Sequence, residues 1–217
     1  MIKKLIIFFL VVTSQIYSQN LEEKFRDEVC KCLGKKFSKN VEDFQCFKPL
    51  VEKYAEEIDE FVTEDDRGIF HYPSDFFEYF LYEYQQYYLE NCGSYFESLK
   101  FAYDEGIRIS LQQVESTSFE KLNRYIEEYE FNSKFILERG ILYLREDNYN
   151  SALADFDRLV REDSTDYRAM VLKAVSLEKM GEYNRSSQVY TDILNRSKDI
   201  RYKLFAELMI FMGKENK

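Results

Sequence analysis

Four cysteines and one histidine are the side chains of this chain best suited to bind a metal, form disulfides or carry a redox reaction. The cysteines are Cys30, Cys32, Cys46 and Cys92, and the histidine, His71, lies far from them in sequence. Zinc sites and thioredoxin-like redox sites usually contain Cys-x-x-Cys, whereas this chain has Cys-x-Cys and two isolated cysteines. An even number of cysteines in an exported chain is typical of structural disulfides. We therefore expect two disulfides, no metal and no cofactor.

The positions of the cysteines on predicted helices favour one pairing. Cys30 and Cys32 share a helix, where residues two apart point about 200° away from each other, so they should bond to different partners. If residues 39–40 form the turn of a helical hairpin, Cys32 and Cys46 lie nearly level across it. This favours Cys32–Cys46 with Cys30–Cys92, and the crossed pairing is the alternative.

Catalytic motifs are scarce in the sequence. His71 lies in a Phe-His-Tyr-Pro string without a nucleophile motif, and a Ser-His or Cys-His system would depend on it alone. The chain has no Walker loop, no Gly-rich dinucleotide loop and no His-Glu-x-x-His string. Most of its 40 acidic residues are expected to lie on solvated helix faces. The alternative is that some of these carboxylates serve an enzyme with its active site in a helical cleft. We predict that the protein is not an enzyme.

The composition narrows both the fold and the partners. Seven Gly and two Pro are too few for the turns of a large all-β protein, so the chain should be all-α. Hydrophobic residues make up 45% of it, which suffices for a packed core. The formal net charge of −10 repels phosphate backbones, so nucleic-acid binding is not expected.

Residues 1–18 have the layout of a secretory signal peptide. A short basic start is followed by an unbroken apolar run over residues 5–12, and residues 13–18 turn polar. A membrane-spanning helix needs about 20 apolar residues, so a retained anchor helix is the less favoured alternative. We expect cleavage after Ser18 and an exported protein without membrane insertion, either periplasmic or secreted, from a Gram-negative bacterium.

Helical periodicity continues after the signal peptide. The predicted helices cover residues 21–37, 41–62, 75–90 and 94–114, and a further helix opens at Thr117.

Fourteen Phe and Tyr residues lie between Phe70 and Tyr103. The eight of them on the predicted helix over residues 75–90 surround it instead of lining one face, which is typical of a buried helix. The alternative is an aromatic platform for sugars or peptides, although stacked sugar sites usually employ Trp and the chain has none.

The last third of the chain repeats itself with a period of about 34 residues. Small and aromatic residues recur at matching positions of two units. The matched pairs are Gly140 and Ala174, Tyr149 and Tyr183, Ala152 and Ser186, and Phe156 and Tyr190. Each unit predicts two short helices with a turn before the Tyr, and residues 201–212 predict the first helix of a third unit.

This pattern resembles the tetratricopeptide repeat (TPR). In that family a small residue lets the two helices of a unit approach closely, and a Tyr opens the second helix, as in the pairs above. The chain departs from the family at the Pro that commonly ends a unit, where Ser164 and Lys198 stand. The resemblance implies a solenoid with a terminal cap, a scaffold that binds proteins or peptides.

The predicted fold is therefore an all-α, helix-turn-helix (TPR-like) solenoid with an N-terminal disulfide-stapled helical region. Gly106 precedes Gly140 by one further period, which suggests an additional, diverged unit. The predicted segments are a signal peptide over 1–18, a Cys- and aromatic-rich helical region over 19–98, a diverged repeat over 99–132, and TPR-like repeats with a capping helix over 133–217.

The resemblance also implies a binding groove, because the first helix of each TPR unit lines the concave face. Here that face would be apolar at its centre and basic at its edges. Its residues would be Lys134, Leu137, Ile141, Leu144, Arg145, Arg168, Val171, Val175, Glu178 and Lys179, extended by Tyr202, Phe205 and Met209. A protein or peptide with a hydrophobic segment and acidic flanks would fit it. The alternative is that the chain's own N-terminal half fills the groove, as in a structural subunit of an envelope complex.

Overall fold

The computed structural model of the chain describes residues 23–32, 49–50, 53, 82, 84–112, 118–129 and 131–216. All regular secondary structure within these ranges is α-helical, which confirms the prediction of an all-α fold. The predicted signal peptide, Cys46, His71 and most of the predicted helix over residues 41–62 lie outside the described residues, and residues 49–50 and 53 of that helix are helical. The chain divides into two compact units, Met1–Ser98 and Leu99–Lys217, and each is described by itself.

In the first unit a disulfide joins two helices, α1 (residues 23–32) and α2 (Gln85–Asn91). The bond links Cys30 to Cys92, the residue that follows α2, with their Cα atoms 5.4 Å apart. The predicted Cys30–Cys92 pairing is thereby confirmed. Cys32 is disulfide-bonded as well.

Apolar and aromatic side chains form the core beside this disulfide. Phe25 and Val29 of α1 are 2% and 1% exposed, and Tyr88 of α2 is fully buried. The guanidinium of Arg26 lies 4.0 Å from the ring centroid of Tyr87, at the edge of this core. Part of the aromatic-rich segment therefore serves to pack α2 against α1.

The second unit is a run of consecutive helices. It begins within α3 (Gly93–Gln112), of which it holds the residues from Leu99 onward. The helices that follow are α4 (Phe119–Glu128), α5 (Ser133–Arg145), α6 (Tyr149–Glu162), α7 (Tyr167–Lys179), α8 (Tyr183–Ser197) and α9 (Arg201–Glu215). From α4 to α9 each helix packs on the next one along the chain, and α5 also contacts α7.

Two helix ends differ from the sequence-based prediction. The N-cap of α4 is Ser118, whose hydroxyl accepts a hydrogen bond of 3.4 Å from the backbone N–H of Lys121. The predicted opening residue, Thr117, lies outside the described residues. At the other end of the unit, α9 extends to Glu215 instead of Met212.

The repeat period of the sequence recurs in the structure. The helices α5, α7 and α9 start one period apart, and so do α6 and α8. The turns between paired helices are closed by the same hydrogen bond, from Asn148 N–H to the Tyr143 carbonyl at 2.9 Å and from Glu182 N–H to the Leu177 carbonyl at 2.8 Å. The donor and the acceptor of the second bond each lie one period after their counterparts in the first.

Helix caps and backbone angles follow the same period. The side chains of Asn132 and Asp166 cap α5 and α7 by accepting backbone N–H bonds, as N-cap residues do. The turns contain one left-handed residue each, Asp147 with φ of 57° and Gly181 with φ of 76°. Asp and Gly tolerate this conformation better than most residues.

Small residues allow close contact between the paired helices. A Cβ atom on Gly140 would lie only 2.6 Å from Cε1 of Phe156, whose side chain is fully buried. In the next unit the hydroxyl of Ser186 donates a hydrogen bond of 2.8 Å to the carbonyl of Ala174. Both units thus bring the two helices together at the positions of the recurring small residues.

Candidate functional site

The residues of α3 in the second unit are held against α7 and α8 by a buried polar network. The hydroxyl of Tyr103 donates a hydrogen bond of 2.8 Å to Oε2 of Glu178, and the ammonium of Lys100 lies 3.5 Å from Oε1 of the same carboxylate. The oxygens of Tyr103 and Tyr190 are 2.9 Å apart. Because the single proton of Tyr103 is directed at Glu178, the hydroxyl of Tyr190 donates to Tyr103.

The network explains how a carboxylate can be buried in this unit. Glu178 is 5% exposed, and a buried charge is tolerated where it is paired and hydrogen-bonded. Burial raises the pKa of Tyr103 well above its usual range, and the neighbouring Tyr190 and Glu178 raise it further. Burial likewise raises the pKa of Tyr190. Both phenols therefore stay protonated and remain donors.

Aromatic contacts extend this docking to α9. The ring of Phe205 lies 5.3 Å from that of Tyr103 and 5.5 Å from that of Tyr190, in tilted to edge-on arrangements. Aromatic pairs favour such offset and edge-to-face geometry. Further along α3, the guanidinium of Arg145 donates a hydrogen bond to the carbonyl of Leu111. The second part of α3 therefore contacts α5, α7 and α9, the first helices of the repeated pairs, and also α8.

A pocket of about 400 Å³ lies between α3 and the helices α7, α8 and α9. One wall comes from α3. It consists of Ala102, Tyr103, Gly106, Ile107 and Ser110. The opposite wall consists of Tyr167, Arg168, Val171, Leu172, Tyr190, Tyr202 and Phe205. The described lining is mainly aromatic and apolar, and Arg168 is the one ionised side chain among the described residues that form it.

The residues predicted to line the groove are divided between this pocket, the core and the surface. Arg168 and Val171 line the pocket, and so do Tyr202 and Phe205 from the predicted extension. Four others are buried. They are Ile141, Leu144, Val175 and Met209, at 0%, 6%, 1% and 0% exposure.

The remaining predicted groove residues lie at the surface or at the docked helix. Leu137 is half-buried, and Lys134 and Lys179 are exposed. Arg145 binds the Leu111 carbonyl, as described above, and Glu178 binds Tyr103. Sequence reasoning missed the wall that α3 contributes, because it assigned Gly106 to a diverged repeat unit and gave Tyr103 no partner in α7 or α8.

No group of three or more His, Cys, Asp or Glu side chains among the described residues is arranged to hold a metal ion. No helix within the described ranges combines the length and apolar character needed to cross a membrane.

Comparisons with family models, with curated proteins and with solved structures found no match to this chain.

Proposed function

We propose that the second unit is a TPR-like module that binds a segment of a protein partner and performs no chemistry. One observation carries this proposal: a pocket of about 400 Å³ between α3 and the helices α7, α8 and α9 is left open by the described residues. Pockets of roughly 300–1,000 Å³ with apolar walls and a few polar groups are the usual sites of ligand side chains and small molecules.

The repeated geometry supports the TPR-like part of the proposal. Helix starts, turn hydrogen bonds and left-handed turn residues all recur with the same period. A period of about 34 residues is typical of the TPR, in which each unit packs only on its neighbours. In such arrays the first helices line the binding face.

The setting that we propose is the periplasm or the secreted fraction of a Gram-negative bacterium. The layout of residues 1–18 and the Cys30–Cys92 disulfide support it, since disulfides persist in oxidising compartments. The net charge of −10 disfavours nucleic acid as the partner.

Two other functions are less well supported. The described residues that line the pocket include no carboxylate, and Glu178 behind them already binds Tyr103, so these residues offer no acid–base pair for a carboxylate-dependent enzyme. A structural subunit of an envelope complex is favoured by the docking of α3, which fills part of the groove from within. The unfilled pocket argues for binding over this alternative.

Selection of peptides on the exported chain tests the proposal. Gly106 lines the pocket, and a Cβ there would meet no atom within 4 Å, so Gly106→Leu should fill space without disturbing the fold. Gly93→Leu is the matched control, because Gly93 lies in the same helix, outside the pocket, with equally open surroundings. We expect the selected peptides to bind both the parent chain and Gly93→Leu at least about tenfold more tightly than they bind Gly106→Leu. Equal binding to all three chains would show that the partner surface lies elsewhere.

A further inference from the structure

We infer that the pocket accepts an aromatic ring that carries a nearby carboxylate, with Arg168 as the partner of the anion. This inference rests on the proposed function, because it names the side-chain chemistry that the partner segment must present. It is argued from the walls, the charge and the size of the pocket.

The walls favour an aromatic group over an aliphatic one. Four rings of the lining already form a contiguous set, in which Tyr202 lies 6.5 Å from Tyr190 and 6.3 Å from Phe205. Tyr202 lines the pocket and is only half-buried, so its ring is open to a further contact. An added ring can make the offset or edge-to-face contacts that aromatic pairs favour, which contribute up to about tenfold in affinity per pair.

The charge of the lining favours an anion over a cation. Arg168 is exposed, and it makes no ion pair or hydrogen bond with any residue in the part of the chain that the structure describes. A guanidinium beside an apolar wall is well suited to bind a carboxylate in bidentate geometry. The hydroxyl of Ser110 adds a polar group, since it donates to the Gly106 carbonyl and can still accept.

An aromatic cage could instead hold a quaternary ammonium ion, as cages of Tyr and Phe do in other proteins. The positive charge of Arg168 opposes such a ligand. Glu178, the carboxylate that Tyr103 of the wall binds, is already compensated by Lys100 and by the Tyr103 hydroxyl. Burial and then the charge of Asp199 raise the pKa of the wall residue Tyr202, and Asp199 is paired with Arg201. The pocket should therefore discriminate against cations.

The volume limits the ligand to one ring and a short extension. About 400 Å³ is at the lower end of the range of small-molecule sites, and a helix could not enter it. The same chemistry is found in an aromatic residue beside an acidic one in a polypeptide and in a free aromatic acid. We assign the pocket to the polypeptide, in keeping with the proposed partner, and the free acid serves as a probe.

Ligand-observed NMR with small probes tests the inference on the exported chain. The probes are 3-phenylpropionate, 3-phenylpropylammonium and tetramethylammonium. We expect millimolar binding of 3-phenylpropionate, as is usual for a ligand of this size, and at least about tenfold weaker binding of both cations. Gly106→Leu should abolish binding of 3-phenylpropionate, and Gly93→Leu should retain it. Arg168→Glu should remove the preference for the anion, whereas Arg161→Glu, which makes the same charge change at an exposed residue of α6, should keep it.

The inference and the proposed function fail in different ways. The inference is overturned if either cation binds more tightly than 3-phenylpropionate, or if 3-phenylpropionate does not bind up to about 10 mM. The proposed function would still be supported by selected peptides whose binding is weakened by Gly106→Leu. Binding of the free acid as tight as that of the best selected peptide would leave the pocket chemistry standing. It would overturn the assignment to a polypeptide partner.

Discussion

The hydroxyl of Tyr103 donates a hydrogen bond of 2.8 Å to the carboxylate of Glu178, across 75 positions of sequence. This bond lies in the network that holds α3 against α7 and α8. It therefore also determines whether the pocket has its second wall, since five of the lining residues belong to α3.

Removing this hydroxyl should destabilise the second unit. In Tyr103→Phe the Glu178 carboxylate keeps only its more distant contacts with lysines, and the hydroxyl of Tyr190 loses its acceptor. Leaving buried polar groups unsatisfied costs about 1–3 kcal/mol, so the free energy of unfolding should fall by that amount. Urea unfolding followed by circular dichroism measures it. Tyr129→Phe, at a residue 50% exposed, is the control and should change stability by less than about 0.5 kcal/mol.

Stability should decrease with pH above about 10, the pKa of an unfolded tyrosine. The folded chain holds the protons of Tyr103 and Tyr190 to higher pH, because burial raises the pKa of both phenols. Below about pH 10 the two phenols are protonated in both the folded and the unfolded chain. Above that pH the unfolded chain releases these protons first. The free energy of unfolding therefore falls by up to about 1.4 kcal/mol per pH unit for each phenol. Tyr103→Phe lacks one of these two phenols, so its free energy of unfolding should fall less steeply with pH, by up to about 1.4 kcal/mol per pH unit. An unchanged slope in that variant would contradict the assigned burial.

Two glycine substitutions should have opposite effects on stability. Gly140→Ala would place a Cβ 2.6 Å from Cε1 of the fully buried Phe156, so we expect a loss of about 1–3 kcal/mol. Gly106→Ala meets nothing within 4 Å, and we expect a gain of about 0.5–1 kcal/mol from helix propensity. Thermal unfolding of both variants distinguishes the positions. A gain at both sites would mean that the paired helices are not in close contact at Gly140.

The disulfide pairing gives a prediction that requires only the intact protein. The chain is secreted into an oxidising compartment and then digested with a protease without reduction. Mass spectrometry should detect a cross-linked peptide that contains Cys30 and Cys92. Closing a loop across 62 positions contributes about 4 kcal/mol in the chain-entropy model, so reduction should lower the stability of the first unit markedly. Four free thiols in the exported protein would refute the pairing.

The helices of the repeats could be predicted from sequence because their signals are local. Gly140 and Ala174 mark the close helix contact, and the turns before Tyr149 and Tyr183 stand in the same register. The observed helices α6 and α8 begin at these two tyrosines. The predicted pairing of Cys30 with Cys92 relied on similarly simple helix geometry and is confirmed.

The pocket could not be predicted in the same way, because it depends on contacts between distant parts of the chain. Periodicity places Ile141 and Val175 on the inner face of their helices, but the neighbours that bury them are set by packing. It also places Tyr103 on an apolar stripe without indicating that Glu178 is its partner. The one local hint was Glu178 itself, an acid at the end of a largely apolar helix.

The central claim is that a partner segment binds where α3 faces α7 and α9. Hydrogen–deuterium exchange with and without a selected peptide tests it most directly, because it reports on backbone opening segment by segment. We expect the peptide to slow exchange over residues 99–112 and 167–172 in the parent chain and in Gly93→Leu, and to have no effect on Gly106→Leu. A peptide that binds but protects only other segments would contradict the claim.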